Sequence, residues 1–137
     1  MAIIQPFRAL RPSQDKAAAV AAPPYDVLNS AEAAEQTAGN PFSFLHITKS
    51  EIDIPGIADI HTPEVYEKAK TNLQQFIKEG VLLREDKPCY YIYELVMNGR
   101  HQTGLVAVSS IDDYENDIIK KHEFTLLLCQ PQWLFIF

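Results

Sequence analysis

The chain has 137 residues, of which 47% are hydrophobic and 22% charged, so it can bury the core of one domain of ordinary size, and disorder is disfavoured. Eighteen acidic against twelve basic residues give a net charge of -6, which disfavours nucleic acid or an anionic membrane as the main partner. The longest apolar run, at the C-terminus, is broken by Gln130, Pro131 and Gln132, and is far shorter than the roughly 20 residues of a spanning helix.

The expected location is the cytoplasm. The first eight residues contain no basic run followed by an apolar core, so they do not form a secretory signal. Cys89 and Cys129 are far apart and form no CxxC motif, and two cysteines are too few for a disulfide framework. We therefore expect both thiols to be reduced, with no membrane contact.

The first half of the chain predicts loops and helices around one strand. Residues 3–28 are rich in proline and predict an ordered loop with one short strand. Asn29 or Ser30 can cap a helix over residues 31–38, which Gly39 can end. Residues 42–48 alternate in polarity and predict a strand, and residues 51–61 predict a loop.

The clearest predicted helix begins at Thr62-Pro63 and ends at Gly80. Thr62 is a suitable cap, and Pro63 lies where a missing amide costs nothing. Apolar residues recur at spacings of three and four, while charged residues occupy the opposite face. This helix is expected to pack on a core.

The second half predicts a hairpin followed by a short helix. Residues 90–97 and 100–109 are joined by Asn98-Gly99, which tolerates the positive φ of a type I′ turn. Tyr91 and Tyr93 share one face of the strand, which favours core packing. Ser110 can start a helix that runs through Lys121. The predicted fold is α+β, a mixed or antiparallel sheet with a central β-hairpin and flanking helices, in an incomplete domain.

Two segments carry candidate functional groups. Cation, imidazole, carboxylate and hydroxyl crowd into residues 120–125, which could bind phosphate and place a general base; the alternative is a solvated helix end. In Ala22–Val27, two prolines would hold Tyr25 and Asp26 rigidly; a structural turn in which Asp26 bonds nearby amides explains the same residues equally well. Arg8 could clamp a phosphate or form a surface ion pair.

Other common sites are disfavoured by spacing. No two of His46, His61 and His101 have the four-residue separation of a helical zinc site, so no metal site is predicted from the histidines. The GxxxxGK[ST], GxGxxG and GxSxG motifs are absent from the sequence.

Four motifs stand in order along the chain: Pro6–Pro12, Ala22–Val27, Asn40-Pro41 with Ser43–Ile47, and Lys121–Thr125. Together they resemble the bacterial and archaeal family of unknown function called DUF1015. The resemblance covers residues 3 to about 125. Members of that family are longer and carry an Asp-Gly-His-His-Arg motif, similar to one in ADP-dependent free serine kinases of the ParB and sulfiredoxin-like superfamily.

That resemblance implies that the full-length relative binds a nucleotide or another phosphate ligand, with ADP or ATP and Mg²⁺ as the cofactors. It implies Glu123 as general base or metal-holding carboxylate, with His122 also catalytic. Arg8, Tyr25, Asp26, Lys121 and Thr125 would bind the ligand or its phosphates. A noncatalytic module that senses a metabolite or binds a protein is the alternative, and a ParB-like DNA-binding role is disfavoured by the acidic balance.

The last twelve residues differ from the family pattern. Leu126–Phe137 contains nine apolar residues and no charged one. We expect residues 1–125 to be the N-terminal part of a DUF1015-like domain, and residues 126–137 to result from truncation or a frameshift. An apolar strand docked into a core is the alternative. A chain lacking the Asp-Gly-His-His-Arg segment is expected to be inactive by the kinase-like mechanism.

Overall fold

The protein is an α+β molecule in the computed structural model, which describes residues 2–119. The helices of this part are α1 (Ala17–Val20), α2 (Ser30–Thr37), α3 (Leu45–Thr48), α4 (Pro63–Lys78) and α5 (Ile111–Glu115). The strands are β1 (Ile4–Gln5), β2 (Leu10–Pro12), β3 (Leu82–Arg84), β4 (Tyr91–Met97), β5 (Arg100–Val106) and β6 (Val108–Ser109). Among the described helices, none combines the length and the apolar character needed to cross a membrane.

The chain divides into two compact units. The helical unit is the continuous segment Leu10–Arg84, and the hairpin unit combines, among the described residues, those up to Ala9 with residues 85–119. Within residues 2–119, every sheet consists of two antiparallel strands: β2 with β3 in the helical unit, and β1 with β6 and β4 with β5 in the hairpin unit.

The core of the helical unit forms where α4 and β3 meet α1. Val20, Phe76, Val81 and Leu82 are buried together, and Phe42, Phe44, Ile47 and Leu73 pack against them. Burial of such side chains is the main favourable contribution to folding. The proline-rich start therefore supplies core residues as well as loops, and it contains β2 and α1 in addition to the single strand predicted.

Helix α2 begins as predicted, at Asn29. The Asn29 Oδ1 accepts from the Glu32 amide at 2.9 Å, and the Glu32 carboxylate accepts from the Asn29 amide at 2.8 Å, so a complete capping box starts the helix. Two orphan amides are satisfied by this reciprocal pair. The predicted span of residues 31–38 agrees with the observed Ser30–Thr37 to within one residue at each end.

Helix α4 is confirmed and Thr62 precedes it as predicted, but the predicted capping bond from the Thr62 side chain is absent. Thr62 occupies the N-cap position, yet its side chain accepts no capping bond, and its buried Oγ1 has no hydrogen-bond partner among the described residues. At the other end, Gly80 adopts a φ of 70°, and the Val81 amide donates to the Phe76 carbonyl at 2.9 Å. This six-to-one bond is the Schellman arrangement that ends a helix at glycine.

The strand predicted over residues 42–48 is wrong. The segment is a turn followed by α3, because local hydrogen bonds favour a tight conformation over an extended one. The Asn40 Oδ1 accepts from the Phe42 amide, and the Ser43 Oγ accepts from the Leu45 amide. The loop predicted for residues 51–61 likewise starts within a 3₁₀ turn, Ser50–Asp53.

The hairpin of β4 and β5 is confirmed, with Met97 paired to Arg100 across a two-residue turn. Asn98 and Gly99 have φ angles of 52° and 75°, the left-handed conformation that a type I′ turn requires at both positions. The predicted second strand is interrupted at Ala107, after which β6 pairs with β1 rather than with β4.

Two further expectations in the hairpin unit need correction. Helix α5 ends at Glu115 instead of continuing through Lys121, because Asp117 has a φ of 56° and the Ile118 amide turns back to the Asp113 carbonyl. Of the tyrosines expected in a core, Tyr91 is half-buried, with its ring edge-on to Phe7 at 5.1 Å, whereas Tyr93 is exposed.

Candidate functional site

The Pro23-Pro24 segment presents Tyr25 and Asp26 at the surface of the helical unit. Pro24 has φ -55° and ψ 141°, and the following residues form a 3₁₀ turn closed by a bond from the Val27 amide to the Pro24 carbonyl at 3.3 Å. Because proline fixes φ, the turn is pre-shaped before any ligand arrives. The sequence prediction of a rigid loop at these residues agrees with this geometry.

Both side chains of this turn are available to a ligand. Tyr25 is 63% exposed, and Asp26 is exposed as well. The alternative in which Asp26 bonds nearby amides does not occur, since the turn is closed by backbone atoms and the carboxylate accepts no hydrogen bond from residues 2–119. A carboxylate that no local amide engages can accept from a ligand or help to hold a cation.

An apolar pocket of about 340 Å³ lies in the same unit. Ala22, the first residue of the Ala22–Val27 motif, is part of its wall. The volume falls within the range of small-molecule sites, about 300–1,000 Å³. No charged side chain lines the pocket, so it suits a ring or an aliphatic group. Its lining residues are Leu10, Pro12, Val20, Ala21, Ala22, Phe44, Leu73 and Leu82.

Arg8 lies in the hairpin unit, between two residues, Phe7 and Ala9, that are both held by hydrogen bonds. The Phe7 amide and carbonyl pair with Cys89, and the Tyr91 hydroxyl donates to the Phe7 carbonyl at 3.0 Å while accepting from the Ala9 amide. The Arg8 Nε donates to the Glu85 carbonyl at 2.7 Å, and the side chain is exposed. These bonds fix the direction of a cationic group that suits phosphate.

The remaining predicted site residues, Lys121, His122, Glu123 and Thr125, lie outside the described residues. Their participation in one site with Tyr25 and Asp26 stays a prediction. Of the seven residues predicted to act, the structure therefore places Tyr25 and Asp26 side by side on one turn, and Arg8 in the other unit.

A half-buried polar network in the helical unit was not anticipated from the sequence. The His46 Nδ1 lies 2.8 Å from the Asp53 Oδ1, and its Nε2 lies 3.2 Å from the Asn40 carbonyl oxygen. The Asn72 amide donates both to the Asp53 Oδ2, at 2.7 Å, and to the His46 carbonyl, at 2.6 Å. Since both ring nitrogens face acceptors, His46 holds loops together and is poorly placed as a general base.

A second buried cluster joins the 3₁₀ turn Ser50–Asp53 to α2. The Glu51 carboxylate accepts from the Ser30 hydroxyl at 2.8 Å and pairs with the Lys49 ammonium at 3.2 Å. Burial alone raises the pKa of the Glu51 carboxyl, but bonds from its own backbone amide, from Ser30 and from Lys49 together outweigh burial and hold that pKa below its ordinary value of 4.5.

One sequence signal for these networks existed but was missed. Asn72 lies one residue before Leu73 and four before Phe76, on the face of α4 that was expected to be apolar. A polar residue at such a position is buried only with partners. Its side-chain partner Asp53 lies in a segment predicted as a loop, where no pattern indicates the direction of a side chain.

The histidines offer no metal site in the described part of the chain. His101 Nδ1 lies 2.9 Å from the Glu94 carboxylate in an exposed pair on β4 and β5, and His61 approaches the Tyr66 hydroxyl at 3.5 Å. Within residues 2–119, no three His, Cys, Asp or Glu side chains are grouped as metal ligands.

The described residues thus define an α+β protein with a proline-stiffened, exposed Tyr-Asp turn and an apolar pocket in the same unit. The family model described as "Protein of unknown function (DUF1015)" matches residues 4–131, which is most of the chain. The chain therefore belongs to the DUF1015 family. Comparisons with curated proteins and with solved structures give no match.

Proposed function

We propose that this chain supplies part of a binding site for a nucleotide or a related phosphate ligand. The observation that carries the proposal is the Pro-stiffened turn, whose exposed Tyr25 and unengaged Asp26 carboxylate lie three and four residues after Ala22 of the pocket wall. An apolar pocket beside a few fixed polar groups is the usual form of a small-molecule site. The pocket suits the base, and Tyr25 and Asp26 suit the polar part of the ligand.

Arg8, in the hairpin unit, is a phosphate-binding residue that we propose from the family resemblance. Its guanidinium carries a permanent charge and planar donors that match phosphate oxygens. The bond from Nε to the Glu85 carbonyl sets the side-chain direction in advance, which lowers the entropy lost on binding. By the family resemblance, Lys121, His122 and Thr125 add further phosphate contacts, and Glu123 acts as general base or holds Mg²⁺.

The reaction class we propose for the intact family members is phosphoryl transfer from ADP or ATP. Such reactions depend on positioning and charge neutralisation, which arginine, lysine, histidine and a carboxylate with Mg²⁺ provide. This finer proposal rests on the resemblance of the family's Asp-Gly-His-His-Arg motif to one in free serine kinases.

Calorimetric titration of the full chain with ADP and with ATP, each with Mg²⁺, tests the binding proposal. We expect measurable heat with at least one nucleotide, and about tenfold weaker binding for Asp26→Asn, because a hydrogen bond to a charged group contributes about 1.5–3 kcal/mol. Glu35→Gln is the matched control, since Glu35 is an exposed carboxylate on α2 of the same unit. Absence of heat with both nucleotides, or equal effects of the two substitutions, would overturn the proposal.

A noncatalytic sensing or interaction module is the second candidate, favoured by the lack of any charged residue in the pocket wall. This alternative predicts binding of an apolar metabolite that is insensitive to Mg²⁺. Glu123→Gln separates the two candidates in a family member that carries the Asp-Gly-His-His-Arg motif. Loss of phosphoryl transfer with binding retained supports the kinase-like reaction, whereas the absence of transfer in the unmutated protein supports the module.

A further inference from the structure

The Tyr91 hydroxyl bonds to the main chain on both sides of Arg8, within the hairpin unit. It donates to the Phe7 carbonyl at 3.0 Å and accepts from the Ala9 amide at 3.0 Å. A phenol oxygen can donate one bond while it accepts another, so one side chain satisfies the backbone before and after Arg8. The Tyr91 ring is held as well, edge-on to the Phe7 ring with 5.1 Å between the centroids.

The backbone pairing around Arg8 is bulged. Phe7 exchanges both of its backbone bonds with Cys89, at 3.1 and 3.0 Å. Two residues later, the Ala9 carbonyl accepts from the Glu85 amide at 2.9 Å. Three residues of the partner segment therefore stand opposite Arg8 alone, and the regular ladder is interrupted at the Ala9 amide, which the phenol engages instead. Bulges of this kind redirect a side chain and are common beside functional sites.

The same bulge sets the direction of the Arg8 guanidinium. Its Nε donates to the Glu85 carbonyl at 2.7 Å, and the amide of Glu85 holds the Ala9 carbonyl at 2.9 Å. The Arg8 side chain is exposed, so hydrogen bonding rather than burial orders it. This order depends on a main chain that stays where the Tyr91 hydroxyl holds it. An arginine that is ordered in advance loses less conformational entropy when an anion binds.

We propose that Tyr91 is a positioning residue for Arg8. Its hydroxyl fixes the backbone on both sides of Arg8, and the fixed backbone holds the guanidinium in one direction, ready to receive phosphate oxygens. The phosphate in this statement rests on the proposed function, whereas the order of the Arg8 side chain rests on the hydrogen bonds alone. All of these residues belong to the hairpin unit.

Tyr91→Phe tests the proposal because it keeps the ring and removes only the hydroxyl. Nitrogen-15 relaxation at the Arg8 Nε–H measures the order of the guanidinium in the full chain. We expect an order parameter of about 0.85 in the unmutated chain and below about 0.6 in Tyr91→Phe. Titration with inorganic pyrophosphate, followed at the same signal, should show about fivefold weaker binding in the variant, which is the effect of one ordinary hydrogen bond.

Tyr90→Phe is the matched control. Tyr90 is 49% exposed, and its hydroxyl donates at 3.5 Å to the carbonyl of Ile4, four residues before Arg8. This substitution should leave the order parameter and the pyrophosphate affinity unchanged. Equal effects of Tyr90→Phe and Tyr91→Phe, or a lower urea midpoint in Tyr91→Phe with Arg8 as ordered as before, would overturn the proposal.

Two further results separate the role of Tyr91 from the choice of ligand. If the unmutated chain gives no response to pyrophosphate, the proposed phosphate contact of Arg8 is wrong, and the order of Arg8 in Tyr91→Phe still decides the positioning role. Should that variant fail to fold, hydrogen exchange in the unmutated chain replaces it. The Ala9 amide and the Arg8 Nε–H should then be equally protected, because one local opening releases both. Free exchange at the Arg8 Nε–H beside a protected Ala9 amide would contradict the positioning role.

Discussion

Removing the Glu51 carboxylate should destabilise the helical unit strongly. In Glu51→Gln, the Lys49 ammonium loses its 3.2 Å partner while both side chains of the pair are about nine-tenths buried. Breaking a buried ion pair from one side costs about 3–5 kcal/mol, because the remaining charge is desolvated without compensation. We expect about 3 kcal/mol, since a glutamine can still accept from the Ser30 hydroxyl.

Urea denaturation followed by circular dichroism measures this loss. For a chain of this size, a slope of about 2 kcal/mol per molar converts about 3 kcal/mol into a midpoint lowered by about 1.5 M. The control is Glu67→Gln, which breaks the exposed Glu67–Lys70 pair and should cost less than about 0.5 kcal/mol. Equal costs for the two substitutions would refute the reasoning from burial.

The same substitution should change the pH dependence of stability. The pKa of Glu51 is lowered by folding, so its contribution is fully present above the ordinary value of 4.5 and is lost as pH falls through the folded-state pKa. The difference in unfolding free energy between the unmutated chain and Glu51→Gln should therefore shrink below about pH 4.5. A difference that stays constant from pH 7 to pH 3 would contradict the stated cause of the shift.

Three further predictions concern local structure and are checked by urea denaturation. Asn29→Ala should cost about 1 kcal/mol, because it removes the side chain that caps α2, and a cost below about 0.3 kcal/mol would contradict the capping role. Gly99→Ala should cost about 1 kcal/mol through its φ of 75°, and an unchanged midpoint would argue against the type I′ turn. Leu45→Ala should lower the free energy of unfolding by about 2–5 kcal/mol because Leu45 is fully buried, and a loss below about 0.5 kcal/mol would contradict its burial in the core.

Elements with a strong local signal could be predicted from the sequence. The period of α4, the Asn98-Gly99 turn and the cap at Asn29 depend on neighbours in the chain, so the structure has them where the pattern indicated. The segment of residues 42–48 failed because alternation over a few residues does not distinguish a strand from a turn followed by a short helix. There the Asn40 and Ser43 side chains decided the conformation.

The candidate site was predictable in part. Two consecutive prolines indicate a rigid turn, and the exposure of Tyr25 and Asp26 agrees with that interpretation. The pocket beside Ala22 could not be predicted, since residues far apart in the chain, such as Leu10 and Leu82, form its wall. The His46–Asp53–Asn72 network also depends on long-range contacts, and its residues had no shared local pattern.

The most direct test of the central claim is a nitrogen-15 NMR titration of the full chain with Mg²⁺ and ADP. We predict that the amide signals of Ala22, Tyr25 and Asp26 shift with a single saturating curve, and that Asp26→Asn weakens the response about tenfold. Unchanged signals of these three amides, or shifts confined to exposed residues of α4 such as Glu67 and Lys70, would contradict the account.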